Sequence, residues 1–114
     1  MGFKKDYSFS IRKCESNKIL FKYPSRIPII VEKSKICTLK DIDKIKYLVP
    51  KELIMNQFIY EIRKRLLLKS SDSIFVLVNN QLCSSNALIA DVYEDYADKD
   101  GFLYVTYTSE NTFG

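Results

Sequence analysis

Hydrophobic and polar positions alternate along this chain in patterns that predict seven elements. RIPIIVEK (26–33) has the β-branched density of a strand, and after a polar loop KIKYLVP (44–50) supplies another, so the two predict a hairpin. Pro28 and Pro50 cannot donate ladder hydrogen bonds and belong at strand ends or on an edge. Met55, Phe58, Ile59, Ile62 and Leu66 then recur at helical spacing, with Arg63, Lys64 and Arg65 late in the segment, where positive charge suits a helix C-terminus. SIFVLV (73–78) reads as a buried strand bounded by the turn-formers Asn79 and Asn80. NALIADVYEDYA (86–97) predicts a shorter helix, and Asp100 and Gly101 turn the chain into a last strand, FLYVTYT (102–108). Upstream, Ile11, Cys14 and Ile19, set among Arg12, Lys13, Lys18 and Lys22, predict a short basic helix from Ser10. It should stop by Tyr23, because the residue before Pro24 is pushed out of the helical region.

The order is helix, strand, strand, helix, strand, helix, strand. Without the first helix this is the β-grasp order of ubiquitin-like domains, in which the final strand can return to the sheet centre beside the first. The expected class is therefore α+β: a β-grasp with a mixed four-stranded sheet, two crossing helices and an N-terminal helical extension. Residues 1–24 form that extension, 25–108 the β-grasp domain and 109–114 a short tail.

Composition narrows the class. A chain of 114 residues with 46% apolar and 28% charged residues suits one soluble globular domain. Its longest apolar runs, IPIIV and IFVLV, are strand-sized, far short of the roughly 20 residues that span a bilayer. The start, MGFKKDYS, lacks the apolar core of a secretory signal, and Asp6 stands where myristoylation wants Ser or Thr. Cys14, Cys37 and Cys83 are odd in number, widely spaced and free of CxxC pairing, which fits a reducing compartment better than a disulfide framework or a zinc site. Histidine is absent, so the commonest general base is missing and an enzyme is disfavoured. Charge is uneven: residues 1–46 hold twelve Lys and Arg against five Asp and Glu, whereas residues 47–114 hold six against nine. A basic face of this kind attracts acidic peptides, anionic lipid or nucleic acid alike, or is simply solvated.

Particular strings then point to a family. KYPSRIPIIVEK (22–33), DKIKYLVP (43–50), QFIYEIRKRL (57–66), FVLVNN (75–80) and GFLYVTYTSENTFG (101–114) together resemble the ubiquitin-like modifiers of autophagy, the family of GABA-receptor-associated protein and microtubule-associated-protein light chain. The tyrosine in KYLVP is similar to the receptor-associated branch. The resemblance runs from about Tyr7 to Gly114. It implies two N-terminal helices on a β-grasp domain, no catalytic role, no cofactor, and a C-terminal glycine joined to the amine of phosphatidylethanolamine.

That implication gives the closing TSENTFG a chemical meaning beyond a loose chain end. A carboxylate is inert toward amines; it must be activated as an adenylate, passed to partner-enzyme thiols as thioesters, and then attacked by the amine. Gly114, with no Cβ, brings the least bulk into those narrow active sites. Implied partners are the activating and conjugating enzymes, a processing or delipidating cysteine protease, phosphatidylethanolamine membranes and cargo receptors, with no nucleic acid. The implied setting is cytoplasm and autophagosome membrane, and in some parasites a plastid-type organelle.

The second implied site is the edge of the hairpin's second strand, where an extended peptide bearing an aromatic residue and, three positions later, an aliphatic one adds a strand. Carried over string by string, Lys46, Tyr47, Leu48 and Val49 form the docking strand. Glu15, Ile19, Pro28, Lys46, Leu48 and Phe102 match an aromatic pocket; Tyr47, Val49, Pro50, Leu53, Phe58 and Ile62 match an aliphatic one. Lys44, Lys46, Arg26 and Arg65 would meet the acidic residues of such motifs. Glu61 and Ile45 depart from the family's usual residues, an apolar side chain and a lysine, which points to a shallower or differently selective pocket. Cys83, with no cationic neighbour in sequence, reads as inert. Two other classes stand beside this reading: an unconjugated β-grasp interaction module in vesicle trafficking, and a nucleic-acid binder using the basic half.

Overall fold

The computed structural model describes residues 2–109, so residues 110–114, Gly114 among them, lie outside the described residues. Nine elements follow in order: α1 (Phe3–Asp6), α2 (Phe9–Lys22), β1 (Arg26–Lys33), β2 (Lys46–Pro50), α3 (Met55–Arg65), β3 (Phe75–Val78), β4 (Gln81–Leu82), α4 (Ile89–Tyr96) and β5 (Leu103–Thr108). The sheet runs β2-β1-β5-β3-β4. β1 and β5 lie parallel at its middle, with Ile29 opposite Leu103 and Lys33 opposite Tyr107. The last strand returns beside the first, as the β-grasp order requires, and the other pairings are antiparallel.

The sheet has five strands where four were expected. The fifth, β4, follows a two-residue reversal at Asn79 and Asn80, whose φ values of 54° and 61° are those of a type I′ turn. Two residues are too few for alternation to show, which is why the turn was legible and the strand was not. The one-turn helix α1 makes up, with α2, the two N-terminal helices that the resemblance implies, although the residue pattern alone does not predict it. It is held from outside: Phe3 N–H donates to Glu32 Oε2 at 2.8 Å, and Lys4 Nζ meets Asp98 at 2.6 Å.

Side chains of β1 are buried on both sides of the sheet. Ile27, Ile29 and Val31 pack with Met55, Phe58 and Ile62 of α3 and with Ile89 and Val92 of α4. Ile30 faces the other way, toward Phe3 and Phe102, with Ile19 of α2 against them. The helical layers thus sit on opposite faces.

Helix α2 ends where the sequence indicates and begins at Phe9, one residue before the expected Ser10. Ser8 Oγ accepts from Ile11 N–H at its start, and Tyr23 N–H donates to Ile19 O at its end. The face it buries is a different matter. Of the three apolar positions expected to anchor it, Ile11 and Cys14 are exposed and only Ile19 is partly buried; the fully inward residues are Arg12, 8% exposed, and Ser16, 0% exposed. The reason lies in the turn before β5. Asp100 is wholly buried there; its carboxylate accepts from Arg12 Nη1 at 2.5 Å, Tyr104 OH at 2.5 Å and Phe102 N–H at 2.9 Å. Ser16 Oγ donates to the Asp100 carbonyl. A buried carboxylate needs such partners, and α2 turns its polar side inward to supply them. The approach is so close that a Cβ on Gly101 would sit 2.3 Å from Ser16 Oγ, and Gly101 also has φ +94°.

Candidate functional site

β2 is an edge strand, and its pairing decides which backbone groups are free. Arg26, Pro28 and Ile30 lie opposite Pro50, Leu48 and Lys46, while Ile27 and Ile29 lie opposite Val49 and Tyr47. Val31 N–H donates to Ile45 O at 2.7 Å, so the hydrogen-bonded pairs of this ladder fall at Ile45, Tyr47 and Val49. Lys46 and Leu48 therefore direct their N–H and C=O groups away from β1, toward the open edge. Pro28 lies inside the central strand β1 and not at an end or edge; it is tolerated because it sits in a non-hydrogen-bonded pair with Leu48 and ahead of Ile29, where pairing with β5 begins. Both prolines are at the positions their chemistry allows, since Pro50 closes the edge strand.

The two faces of β2 present the two expected groups of side chains. Lys46 and Leu48 lie on the α2 side with Pro28. The Lys46 ammonium is paired with Glu15 of α2 and also lies 5.6 Å from the centroid of the Phe3 ring. Phe102 is fully buried beneath, in edge contact with Phe3 at 5.3 Å, and Ile19 packs on the same cluster. Phe3 is the member sequence reasoning missed. The signal was present in MGFKKDY: Phe3 and Tyr7 are four residues apart, and their rings meet at 5.1 Å.

On the α3 side, Tyr47, Val49, Phe58 and Ile62 are all buried members of the main core. Leu53 is partly buried against them and Pro50 is exposed. Phe58 stands edge-on to Tyr47 at 5.6 Å. The buried four form a floor, and Leu53 and Pro50 are the members a ligand can reach. The Tyr47 hydroxyl is enclosed with no hydrogen-bond partner among the described residues, and burial pushes its pKa up to about 12, with Arg65, Asp43 and Glu61 as smaller influences.

All four cations expected to meet acidic residues surround this edge, and each already has a partner. Arg26 Nη1 donates to the outward Leu48 carbonyl at 3.1 Å. Lys44 lies 5.0 Å from the Tyr47 ring centroid, Lys46 pairs with Glu15, and Arg65 forks onto both oxygens of Asp43 at 3.1 and 3.4 Å. An acidic ligand must exchange these contacts, so its charge acts through competition. Glu61 is partly buried and 3.9 Å from Lys64, and Ile45 is exposed. Cys83 is partly buried, and burial pushes its thiol pKa up, away from reactivity. Among the described residues, no group of acidic and thiol side chains is placed to hold a metal ion, and no helix is long and apolar enough to cross a membrane.

The family model described as "Autophagy protein Atg8 ubiquitin like" matches residues 11–114. Autophagy-related protein 8 of Vanderwaltozyma polyspora is 51% identical over 113 residues, covering 99% of this chain and 96% of the relative. Autophagy-related protein 8e of Arabidopsis thaliana is 52% identical over 112 residues, covering 98% and 92%. Among solved structures, Trypanosoma brucei ATG8 superposes with a TM-score of 0.92 at 38% identity, covering 100% of this chain and 98% of that one. Plasmodium falciparum Atg8, solved in complex with a peptide of Plasmodium falciparum Atg3, superposes at 0.90 and 34%, covering 96% and 97%. Sequence match and fold agree over almost the whole length, and the chain belongs to the Atg8 family of ubiquitin-like autophagy proteins.

Proposed function

We propose that this chain is a modifier joined through the Gly114 carboxyl to the amine of phosphatidylethanolamine, and that on autophagosomal membranes it recruits cargo receptors bearing aromatic-x-x-aliphatic motifs. The observation that carries the docking half is the edge of β2: Lys46 and Leu48 offer outward backbone groups between a cluster of Ile19, Pro28 and Phe102 on one face and Leu53 and Pro50 over a buried floor on the other. An extended peptide adds a strand to such an edge, and its alternate side chains address the two faces. The Plasmodium relative solved with an Atg3 peptide supports peptide capture as a property this fold can carry. The conjugation half is supported by family membership and by the glycine at position 114. Acyl activation and transfer would be the work of partner enzymes; this chain supplies the acyl group. A cysteine protease that cleaves after the glycine, or releases the lipid, completes the partner set.

The two halves are separable. Incubation with activating and conjugating enzymes and phosphatidylethanolamine vesicles should give a stable adduct by intact mass, and deletion of Gly114 should abolish it. Leu48→Ala should leave the adduct intact but weaken an acidic aromatic-x-x-aliphatic peptide by about 2 kcal/mol in calorimetry, roughly thirtyfold. An adduct formed without Gly114 would falsify the conjugation site. Parent-like binding by Leu48→Ala would remove the docking edge and leave the family assignment standing.

A further inference from the structure

The uneven charge of the chain is not exhausted by the β2 edge. Because α2 turns Arg12, Ser16 and Ile19 inward, its opposite face carries Lys13, Cys14, Lys18 and Phe21, and Phe21 is 90% exposed. Phe9 and Phe21 bracket an open apolar groove of about 700 Å³, with Lys13 and Lys18 along it. Neither lysine makes a salt bridge among the described residues. On the far face of the sheet, β4 and α4 enclose a smaller groove of about 230 Å³ lined by Leu82, Ala87, Asp91, Asp95 and Tyr96. Leu82 and Tyr96 are exposed apolar side chains, and Asp91 and Asp95 are exposed carboxylates without a salt bridge among the described residues. α4 carries no basic residue at all.

One surface is an aromatic knob among cations; the other is an apolar groove rimmed by carboxylates. They lie on opposite faces of the sheet, so they cannot meet within one molecule. We propose that copies of this chain associate head to tail, with Phe21 of one seated in the β4–α4 groove of the next and Lys13 and Lys18 facing its Asp91 and Asp95. A bilayer would satisfy the α2 face but would submerge Ser10 and Asn17, which also line that groove, and would leave the acidic groove without a role. A second copy uses both. Such a contact is heterologous: a pair keeps one free surface of each kind, so it extends into rows and does not close at two. It buries little area and belongs with weak, salt-sensitive associations. Tethering by the proposed lipid would concentrate copies, but the contact does not depend on it.

Sedimentation velocity on the full, unconjugated chain tests this. The weight-average sedimentation coefficient of the parent should rise with concentration at low salt and fall back at high salt. Phe21→Ala should weaken association about thirtyfold, the scale of a central aromatic anchor. K13E/K18E and D91K/D95K should each sediment as monomers with circular dichroism melts like the parent, because like charges then face each other. Their equimolar mixture should recover association, since each supplies the surface that the other has reversed. The proposal is overturned if the parent stays monomeric throughout, if D91K/D95K associates like the parent, or if the mixture fails to recover. It is equally overturned if K13E/K18E loses binding to phosphatidylserine vesicles while self-association is untouched.

Discussion

Asp100 decides the position of a whole helix from a single buried side chain. Its carboxylate is closed off from water and takes hydrogen bonds from Arg12, Tyr104 and the Phe102 backbone, while its own carbonyl receives Ser16. Removing its side chain leaves a guanidinium, the Tyr104 hydroxyl and the Phe102 N–H without their shared acceptor, and breaking a buried pair in this way costs about 3–5 kcal/mol. Asp100→Ala should lower the urea midpoint accordingly with little change in slope. It should also weaken the proposed peptide docking, because α2 carries Glu15, which pairs with Lys46, and Ile19, which packs on the cluster beside the β2 edge. A loss below 1 kcal/mol would mean that the network positions α2 without stabilising it. Asp98 gives a pH signature nearby. Partial burial pushes its carboxyl up, but hydrogen bonds from Lys4 and the Asp100 backbone N–H, with the charges of Lys4 and Arg12, outweigh that and hold it below the usual carboxylate range. A carboxyl depressed by folding contributes stability above its unfolded pKa and loses it as pH falls through the folded value. Asp98→Asn should therefore be less stable than the parent near pH 7, by up to about 1 kcal/mol. The gap should close as pH falls below about 4.

At the scale of an element, α3 ends in an unfavourable conformation that can be relieved. Leu68 N–H donates to Arg63 O and Leu67 N–H to Lys64 O, both at 3.1 Å, which is the hydrogen-bond pattern of a Schellman motif. The residue this motif places in the left-handed region is normally glycine, yet here it is Leu67, with φ 56° and 78% of its surface exposed. A Cβ in that region costs about 1–2 kcal/mol, and Leu67 recovers little of this by burial. Leu67→Gly should raise stability by about 1 kcal/mol, seen as a melting temperature several degrees higher. An unchanged or lower melting temperature would show that Leu67 makes compensating contacts in solution.

Across the whole molecule, protection should follow position in the sheet. β1 and β5 are central, hydrogen-bonded on both sides and covered on both faces, whereas β4 is two exposed residues paired with β3 alone. Amides of Ile29, Val31 and Val105 should exchange only by global unfolding, those of β4 by local fraying, and the outward amide of Leu48 with the least protection in the hairpin. Hydrogen exchange by NMR measures all of these in one experiment. A bound motif peptide should slow Leu48 selectively. Protection of β4 equal to that of Val105 would contradict this hierarchy.

What the sequence by itself determined is what a repeating pattern can carry. RIPIIVEK coincides with β1 from Arg26 to Lys33, Met55 to Leu66 marks α3, and the prolines mark where β2 ends and where β1 tolerates a missing donor. These elements bury enough successive side chains that core packing enforces periodicity, and the pairing of Leu48 with Pro28 follows from the same alternation. The strand KYLVP was readable for that reason, whereas its proposed docking role came from the family resemblance. Tertiary structure alone decided the inward face of α2, because a polar side is buried only when partners wait for it, and Asp100 is 88 residues from Arg12. It decided α1, whose single turn depends on Phe3 reaching Glu32 and Phe102, and β4, which is too short to have a period. It also decided that Arg26, Lys44, Lys46 and Arg65 meet any acidic ligand already paired, since charge is written in sequence but its neutralisation by distant groups is a property of the folded chain.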